Sequence, residues 1–225
     1  MLIEVSGIDG SGKSTCVDHL SRWAHEAGVA CYQRPVRSTY RRILGGIAAS
    51  RGLRSWRELF DQECVQLATA LEVLQYVATH ITPINFPGQM IITENYRRYW
   101  LATAVADKAT NMSQLEAIYA QLPRPDLSLH FDSNADVAYD RILARSKGDH
   151  VLRSGGKERL SRLWAAYEDK LSDHSPYRTV RISTLTSLRQ TLLALSETIL
   201  EATRPDKAIH DALNSRPMPA LTVLK

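Results

Sequence analysis

Residues 7 to 15 read Gly-Ile-Asp-Gly-Ser-Gly-Lys-Ser-Thr, which satisfies the pattern G-x-x-x-x-G-K-[ST] close to the start of the chain. The glycines let successive backbone N–H groups point inward, and this concavity suits phosphate oxygens. Lys13 then reaches the β- and γ-phosphates, while the Ser14 hydroxyl is placed to ligate magnesium. An apolar run precedes the loop and a helical pattern follows it, as this motif requires. The sequence therefore predicts nucleoside triphosphate binding, with a chance glycine-rich turn as the alternative.

Composition limits the class of protein. The chain has 225 residues, of which 44% are hydrophobic and 23% charged, with a net charge of +4. These values predict one α/β domain with a sizeable core, and the spread of basic residues disfavours nucleic acid binding. No apolar run approaches the roughly 20 residues that cross a bilayer, and no signal-peptide pattern is present. We expect a cytoplasmic protein that makes no membrane contact.

Short apolar runs alternate with helical patterns, which predicts a doubly wound parallel sheet flanked by helices. The five predicted strands are residues 3–5, 29–32, 90–93, 127–131 and 177–182.

Helix and domain boundaries follow from local signals. A capping box at Ser55 predicts the start of a long helix that runs to about residue 81. A second capping box at Ser113 predicts the start of a helix that ends before Pro123. Residues 1–203 are predicted to form one domain, with residues 146–156 as a lid over the nucleotide. The proline-containing tail, residues 204–225, is predicted to be an extended or partly disordered arm.

The chain resembles the thymidylate kinase family in its P-loop, in the segment Pro125-Asp126-Leu127-Ser128-Leu129-His130-Phe131-Asp132, and in the stretch from Pro83 to Glu94. The order of elements agrees to about residue 202. The resemblance implies a P-loop kinase fold with five parallel strands. It also implies magnesium-dependent transfer of the ATP γ-phosphoryl group to a nucleoside monophosphate, and a homodimer, which is the family's usual state.

Departures from the family pattern lie on the acceptor side. Asn95 replaces the arginine of the family's Asp-Arg-Tyr, although Glu94 keeps a carboxylate before it. Arg34 occupies the acidic position of the family's Arg-Glu-Pro. Glu72 and Val73 replace an Asp-Arg pair whose arginine contacts the acceptor nucleotide, and the Tyr-Gln that helps hold thymine is absent. The donor side is unchanged, whereas the identity of the acceptor is left open.

The donor side gives a specific set of predicted roles. The predicted ATP-binding residues are Asp9, Gly10, Ser11, Gly12, Lys13, Ser14, Thr15 and Arg141. Ser14 and Glu94 are the predicted magnesium ligands. No arginine lies at the variable P-loop positions, so we expect the lid to supply the guanidinium that stabilises the transferred group. Arg145 and Arg153 are its candidates and join Lys13 and Glu94 as predicted catalytic residues, with exposed loop charges as the alternative.

The acceptor side is predicted from the resemblance and from position. In the family the P-loop aspartate reaches the acceptor sugar, which implies this role for Asp9. The predicted acceptor-binding residues are Asp9, Arg34, Glu72, Tyr96, Arg97 and Tyr99. The arginines at 34, 37, 41, 42, 97 and 98 follow strands two and three, at the sheet edge where α/β proteins bind ligands. They form either a rebuilt anion site or solvated helix faces.

Two other functions stay open at this point. A kinase of nucleosides or of a non-nucleotide alcohol is suggested by Glu94, because deoxynucleoside kinases carry glutamate at this place. A regulatory P-loop protein that binds nucleotide without productive transfer is the second. The sequence predicts ATP and a small-molecule acceptor of nucleotide type as the ligands of the main hypothesis.

Overall fold

A computed structural model describes residues 1–145, 156–172, 179–216 and 218 of the chain. The five strands form one sheet in the order β2-β3-β1-β4-β5, and every neighbouring pair is parallel. The strands are β1 Leu2–Ser6, β2 Ala30–Gln33, β3 Gln89–Glu94, β4 Leu127–Asp132 and β5 Thr179–Ser183. The predicted five-stranded parallel sheet is therefore confirmed.

Helices cover both faces of the sheet. They are α1 Lys13–Glu26, α2 Thr39–Ser50, α3 Gln62–His80, α4 Arg97–Ala106, α5 Met112–Tyr119, α6 Ala135–Leu143, α7 Gly156–Ser172, α8 Leu188–Thr203 and α9 Lys207–Asn214. Short 3-10 turns occupy Trp56–Glu58 and Thr82–Ile84. None of the helices in the described ranges is both long and apolar enough to cross a bilayer.

The central strand β1 is buried along its whole length, as expected for the middle of a parallel sheet. Alternate residues of the strand point to opposite faces of the sheet and pack in two separate apolar layers. Ile3 and Val5 pack with α1, α8 and α9, whereas Leu2 and Ile91 pack with α3, α4 and α5. Asp126 fixes the entry to β4, because its carboxylate accepts the Leu2 N–H at 2.6 Å. The starts of β1 and β4 are thereby held in one fixed register.

Two predicted helix starts differ in the structure. The Ser55 capping box forms, but it caps only the 3-10 turn, and α3 begins at Gln62 behind Asp61, whose side chain accepts the Cys64 N–H at 2.9 Å. Ser113 lies inside α5, which begins one residue earlier with Asn111 at its N-cap position. At α3 the second polar residue, Asp61, supplies the cap, whereas the Asn111 side chain makes no capping hydrogen bond in α5.

The tail also differs from its prediction. Residues Lys207–Asn214 form α9, and the Asp206 side chain accepts the Ile209 N–H at 3.3 Å. Ile209 and Leu213 are buried in the layer that includes α1 and α8. The predicted extended arm is therefore wrong for this segment. Of the predicted lid, only Gly156 is described, and it begins α7.

Candidate functional site

The P-loop joins the carboxyl end of β1 to the start of α1 and depends on glycine at defined points. Gly7, Gly10 and Gly12 all have positive φ, at 137°, 83° and 85°. A Cβ atom at position 10 would stand 2.2 Å from the Ala138 carbonyl oxygen, and one at position 7 would stand 2.6 Å from the Phe131 oxygen. The loop therefore fits against β4 and α6 only because Gly7 and Gly10 lack side chains.

Lys13 begins α1 and folds back over the loop. Its ammonium donates to the Gly7 and Ile8 carbonyl oxygens, both at 2.8 Å. Burial lowers the pKa of Lys13, while the charges of Asp9 and Glu94 act in the opposite direction. The ammonium is thus held over the loop, where the charges of two carboxylates act on it, as expected for a phosphate-binding lysine.

Glu94 ends β3, the strand beside β1. Burial raises the pKa of its carboxyl group, while Lys13 and Arg37 act to lower it. The Val36 N–H donates to the Glu94 carbonyl oxygen at 2.9 Å and ties the segment after β2 to this point. Ser14 is exposed in the first turn of α1. A hydroxyl and a carboxylate oxygen are donors that Mg²⁺ prefers, so the predicted pair fits this ion chemically.

Asn95 follows Glu94 with a φ of 58°, in the left-handed region that few residue types other than glycine adopt readily. Asparagine is among those that tolerate it. The turn directs the chain from β3 into α4, where the Arg98 N–H donates to the buried Glu4 carboxylate at 2.8 Å. The guanidinium of Arg98 donates to Thr179 Oγ1 at 2.6 Å, so this side chain stays within the sheet layer. Arg98 therefore does not belong to a rebuilt anion site.

A cavity of about 360 Å³ opens beside the loop, between the start of α1, the end of α6 and the turn after β5. Its lining includes Gly12, Thr15, Arg141, Arg145, Thr184 and Leu188. Arg141 spans it, donating to the Thr184 carbonyl oxygen at 2.6 Å and to the Gly10 carbonyl oxygen at 3.4 Å. Arg145 is exposed, and its charge contributes to lowering the pKa of Lys13. Arg153 lies outside the described residues.

The predicted acceptor residues fall into different environments. Tyr96 is fully buried and its hydroxyl donates to the Pro123 carbonyl oxygen at 2.9 Å, which does not fit the predicted contact with an acceptor. Tyr99 lies at the junction of two apolar clusters, within electrostatic reach of Asp9. Arg34 stacks over Tyr32 at 5.5 Å, and Arg97 is half-buried at the start of α4. Among the predicted acceptor residues, Tyr99 and Asp9 are the pair whose charges influence each other.

Glu72 has a structural role in the described contacts. Its carboxylate accepts the Ser38 hydroxyl at 2.5 Å and the Thr39 N–H at 2.7 Å. The Tyr40 N–H adds a contact of 3.3 Å to each of the two oxygens. Glu72 therefore holds the N-terminus of α2 against α3, and its predicted acceptor contact finds no support.

Sequence reasoning missed several polar residues near Tyr99. Gln66, Thr69 and Arg159 are buried. Arg41, which the sequence placed only in a general arginine cluster, donates to the Thr69 hydroxyl at 3.0 Å and to the Gln66 amide oxygen at 2.5 Å. One signal was present in the sequence, since Gln66 and Thr69 are polar residues three positions apart, on the same side of the helix as the apolar Val65, Ala70 and Val73.

Comparisons with known proteins agree with this architecture. The profile of the family described as thymidylate kinase matches residues 5–192. A probable thymidylate kinase of Halobacterium salinarum is 28% identical over 213 residues, which is 92% of this chain and 99% of the relative. A thymidylate kinase of Jannaschia sp. is 28% identical over 180 residues, 75% of this chain and 81% of the relative. A probable thymidylate kinase of Pyrococcus abyssi is 26% identical over 166 residues, covering 72% and 80%.

Proposed function

Because the chain belongs to the thymidylate kinase family, we propose that it transfers the γ-phosphoryl group of ATP to a nucleoside monophosphate. The observation that carries the proposal is the arrangement around Lys13. Its ammonium lies over a P-loop whose glycines are sterically required, and the carboxylates of Asp9 and Glu94 act on it.

The donor half of the reaction rests on the loop and on α1. The N–H groups of the loop and the positive end of α1 bind the phosphates. Lys13 exchanges its carbonyl contacts for β- and γ-phosphate oxygens. Ser14 and Glu94 would hold Mg²⁺, which would neutralise part of the phosphate charge.

The nucleotide's other groups have separate partners in the proposal. Arg141 bounds the cavity beside the loop through Thr184 and Gly10, so it positions the nucleotide there. Arg145 lies at the end of α6, near Lys13, and we assign it together with Arg153 to stabilising the charge of the transferred group. A guanidinium in this role contributes roughly 10³-fold or more in rate.

The acceptor half begins at Asp9. We propose that its carboxylate orients the acceptor, with the Tyr99 hydroxyl and Arg97 nearby, while Arg34 and Arg37 follow β2 at the same sheet edge. The family's acceptor arginines are replaced here by Asn95 and Val73. The proposal therefore names the nucleoside monophosphates as a class, of which thymidylate is one member. We also propose a homodimer, which light scattering of the purified protein measures directly.

A coupled assay of ADP release across the nucleoside monophosphates tests this function. Turnover of at least one monophosphate, abolished by Lys13→Ala, is the expected result. Turnover of unphosphorylated nucleosides alone would replace it with a nucleoside kinase. ADP release that equals the Lys13→Ala background for every acceptor would leave a nucleotide-binding protein without transfer.

A further inference from the structure

The guanidinium of Arg41 is positioned by the start of α2. Glu72 fixes the first turn of this helix on α3, and Ser38 accepts the Arg41 N–H at 3.1 Å. The side chain then reaches Thr69 and Gln66 on α3. Thr69 donates its own proton to the Val65 carbonyl oxygen at 2.7 Å, so its hydroxyl is oriented to accept from Arg41. The placement of this guanidinium is therefore built into two helices.

The partners of Arg41 leave its charge unbalanced. Both hydrogen-bond acceptors are neutral, and the guanidinium lies over the Trp100 ring at 4.9 Å and the Trp56 ring at 5.4 Å. Across the described ranges, the Nη1 group of Arg41 has no hydrogen-bond acceptor and the side chain forms no ion pair. The Arg41 side chain is half-buried, and a charge that is partly removed from water normally finds a counter-charge or an anionic ligand.

Neighbouring charges increase the imbalance. Arg57 forms a bidentate pair with Asp107 at 2.8 and 2.7 Å, and Arg159 Nε approaches the same carboxylate at 3.8 Å. Arg159 is only 8% exposed, and its Nε has no hydrogen-bond partner in the part of the chain that is described. Three guanidinium groups thus share the single carboxylate of Asp107 within the described ranges. The positive charge of the three guanidinium groups therefore exceeds the charge of Asp107, which favours an anionic ligand.

Tyr99 connects this cluster to the phosphoryl-transfer site. It contacts Trp100 edge to face at 4.9 Å, and Arg41 lies over that same indole. Tyr99 is also within electrostatic reach of Asp9, Arg41 and Arg159. A molecule oriented by Asp9 would therefore extend past Tyr99 toward the two arginines.

Arg41 reaches the face of α3 on which the family carries its acceptor-contacting arginine. The family's acceptor-contacting arginine corresponds to Val73, which is fully buried here. Thr69 lies four residues earlier, on the same face of the helix. Arg41 brings a guanidinium from α2 to this face of α3, where it lies over the rings of Trp56 and Trp100.

We propose that Arg41 and Arg159 form a binding subsite for an acidic group of the acceptor, at the end remote from phosphoryl transfer. The ligand class is a nucleoside monophosphate with a second anionic group, a carboxylate on the base or a phosphate on the sugar. This rests on the proposed kinase function. Arg41 is a specificity-determining residue in this account, and its donors at Nη1 suit a carboxylate or phosphate.

Three acceptors of graded charge test the subsite. They are thymidine 5′-monophosphate, orotidine 5′-monophosphate with a carboxylate on its base, and thymidine 3′,5′-bisphosphate with a second phosphate on its sugar. Equilibrium binding and kcat/KM are measured for each with ATP present. We expect one doubly anionic compound to exceed thymidine 5′-monophosphate by about tenfold, and which of the two does so identifies the anion's source.

Arg41→Gln should remove that preference while changing the KM for ATP less than about twofold, and Arg159→Gln should reduce it independently from α7. Arg41→Lys should keep part of it, since the charge remains. Arg42→Gln is the matched control, because Arg42 is exposed on the same helix. Thermal unfolding of each variant separates loss of the subsite from loss of the fold.

The proposal is overturned if neither doubly anionic compound is preferred by the natural protein, or if the preference survives in folded Arg41→Gln. An equal loss for all three acceptors in Arg41→Gln would also overturn it, because a neutral base would then be the group that Arg41 contacts. Failure of the proposed kinase function gives a different result, because no compound is then turned over. The equilibrium binding of the three compounds would still show whether the doubly anionic ones are preferred.

Discussion

The donor side and the acceptor side of the proposed site are held by different kinds of interaction. On the donor side, backbone geometry dominates: Gly7 and Gly10 pack directly against backbone atoms of β4 and α6, and Lys13 bonds to loop carbonyls. On the acceptor side, side chains from separate helices meet, as with Arg41 on α2 and Thr69 on α3. A backbone-determined site tolerates few changes in sequence, whereas a side-chain site is rebuilt by a few substitutions.

The largest effect should come from Lys13→Ala. Loss of the ammonium removes charge stabilisation at the transferred phosphoryl group, and kcat should fall by about 10³-fold. The fold should persist, since within the described residues the Lys13 ammonium donates to just two carbonyl oxygens, both of its own loop. Steady-state kinetics with Lys207→Ala, at an exposed lysine on α9, provides the control. A loss smaller than tenfold would show that the donor side is not organised around this residue.

Gly10→Ala should break the donor side through packing. The new Cβ would stand 2.2 Å from the Ala138 carbonyl oxygen at a φ of +83°, so strain and overlap together should cost about 3 kcal/mol. Gly28→Ala is the matched control, because it has a φ of +77° and open space around its Cβ; it should cost about 1 kcal/mol. Urea unfolding measures both. Equal losses would mean that the contact with α6 is unimportant.

Glu94→Gln should lower kcat by about 10²-fold while leaving the unfolding temperature nearly unchanged. Burial raises the pKa of Glu94 in the folded protein, so its working, ionised form should appear only above the usual glutamate pKa of about 4.3. The profile of kcat/KM against pH should therefore rise at a higher pH than an exposed carboxyl group would give. Glu26→Gln, on the exposed face of α1, should keep that rising limb. If the rise of kcat/KM with pH persisted in Glu94→Gln, the titrating group would be one other than Glu94.

Glu72→Gln should give the smallest effect and should separate the two sides. Loss of the charged contacts to Ser38 and Thr39 should destabilise the protein by about 1 kcal/mol. Because α2 carries Arg41, the KM for the acceptor should rise while the KM for ATP stays constant. Glu63→Gln, exposed on the same helix, is the comparison. A parallel rise in both KM values would contradict the separation.

The predictability of the two sides follows the same division. The P-loop, the five strands and their order along the chain were predictable because each is specified by contiguous residues. The roles of Glu72 and Tyr96 were not, since each depends on a partner far along the chain, Ser38 and Pro123 respectively. Helix α4 and helix α9 also escaped prediction. Their apolar patterns are too short to specify a helix, and both helices are stabilised by packing against the apolar layers of the sheet.

Transfer of the γ-phosphoryl group from isotopically labelled ATP tests the central claim most directly. Purified protein is incubated with labelled ATP and each nucleoside monophosphate or nucleoside in turn, and the products are separated by chromatography. We predict that the label enters a nucleoside diphosphate, and that Lys13→Ala abolishes this product. Label found only in inorganic phosphate, or only in a monophosphate made from a nucleoside, would contradict the account.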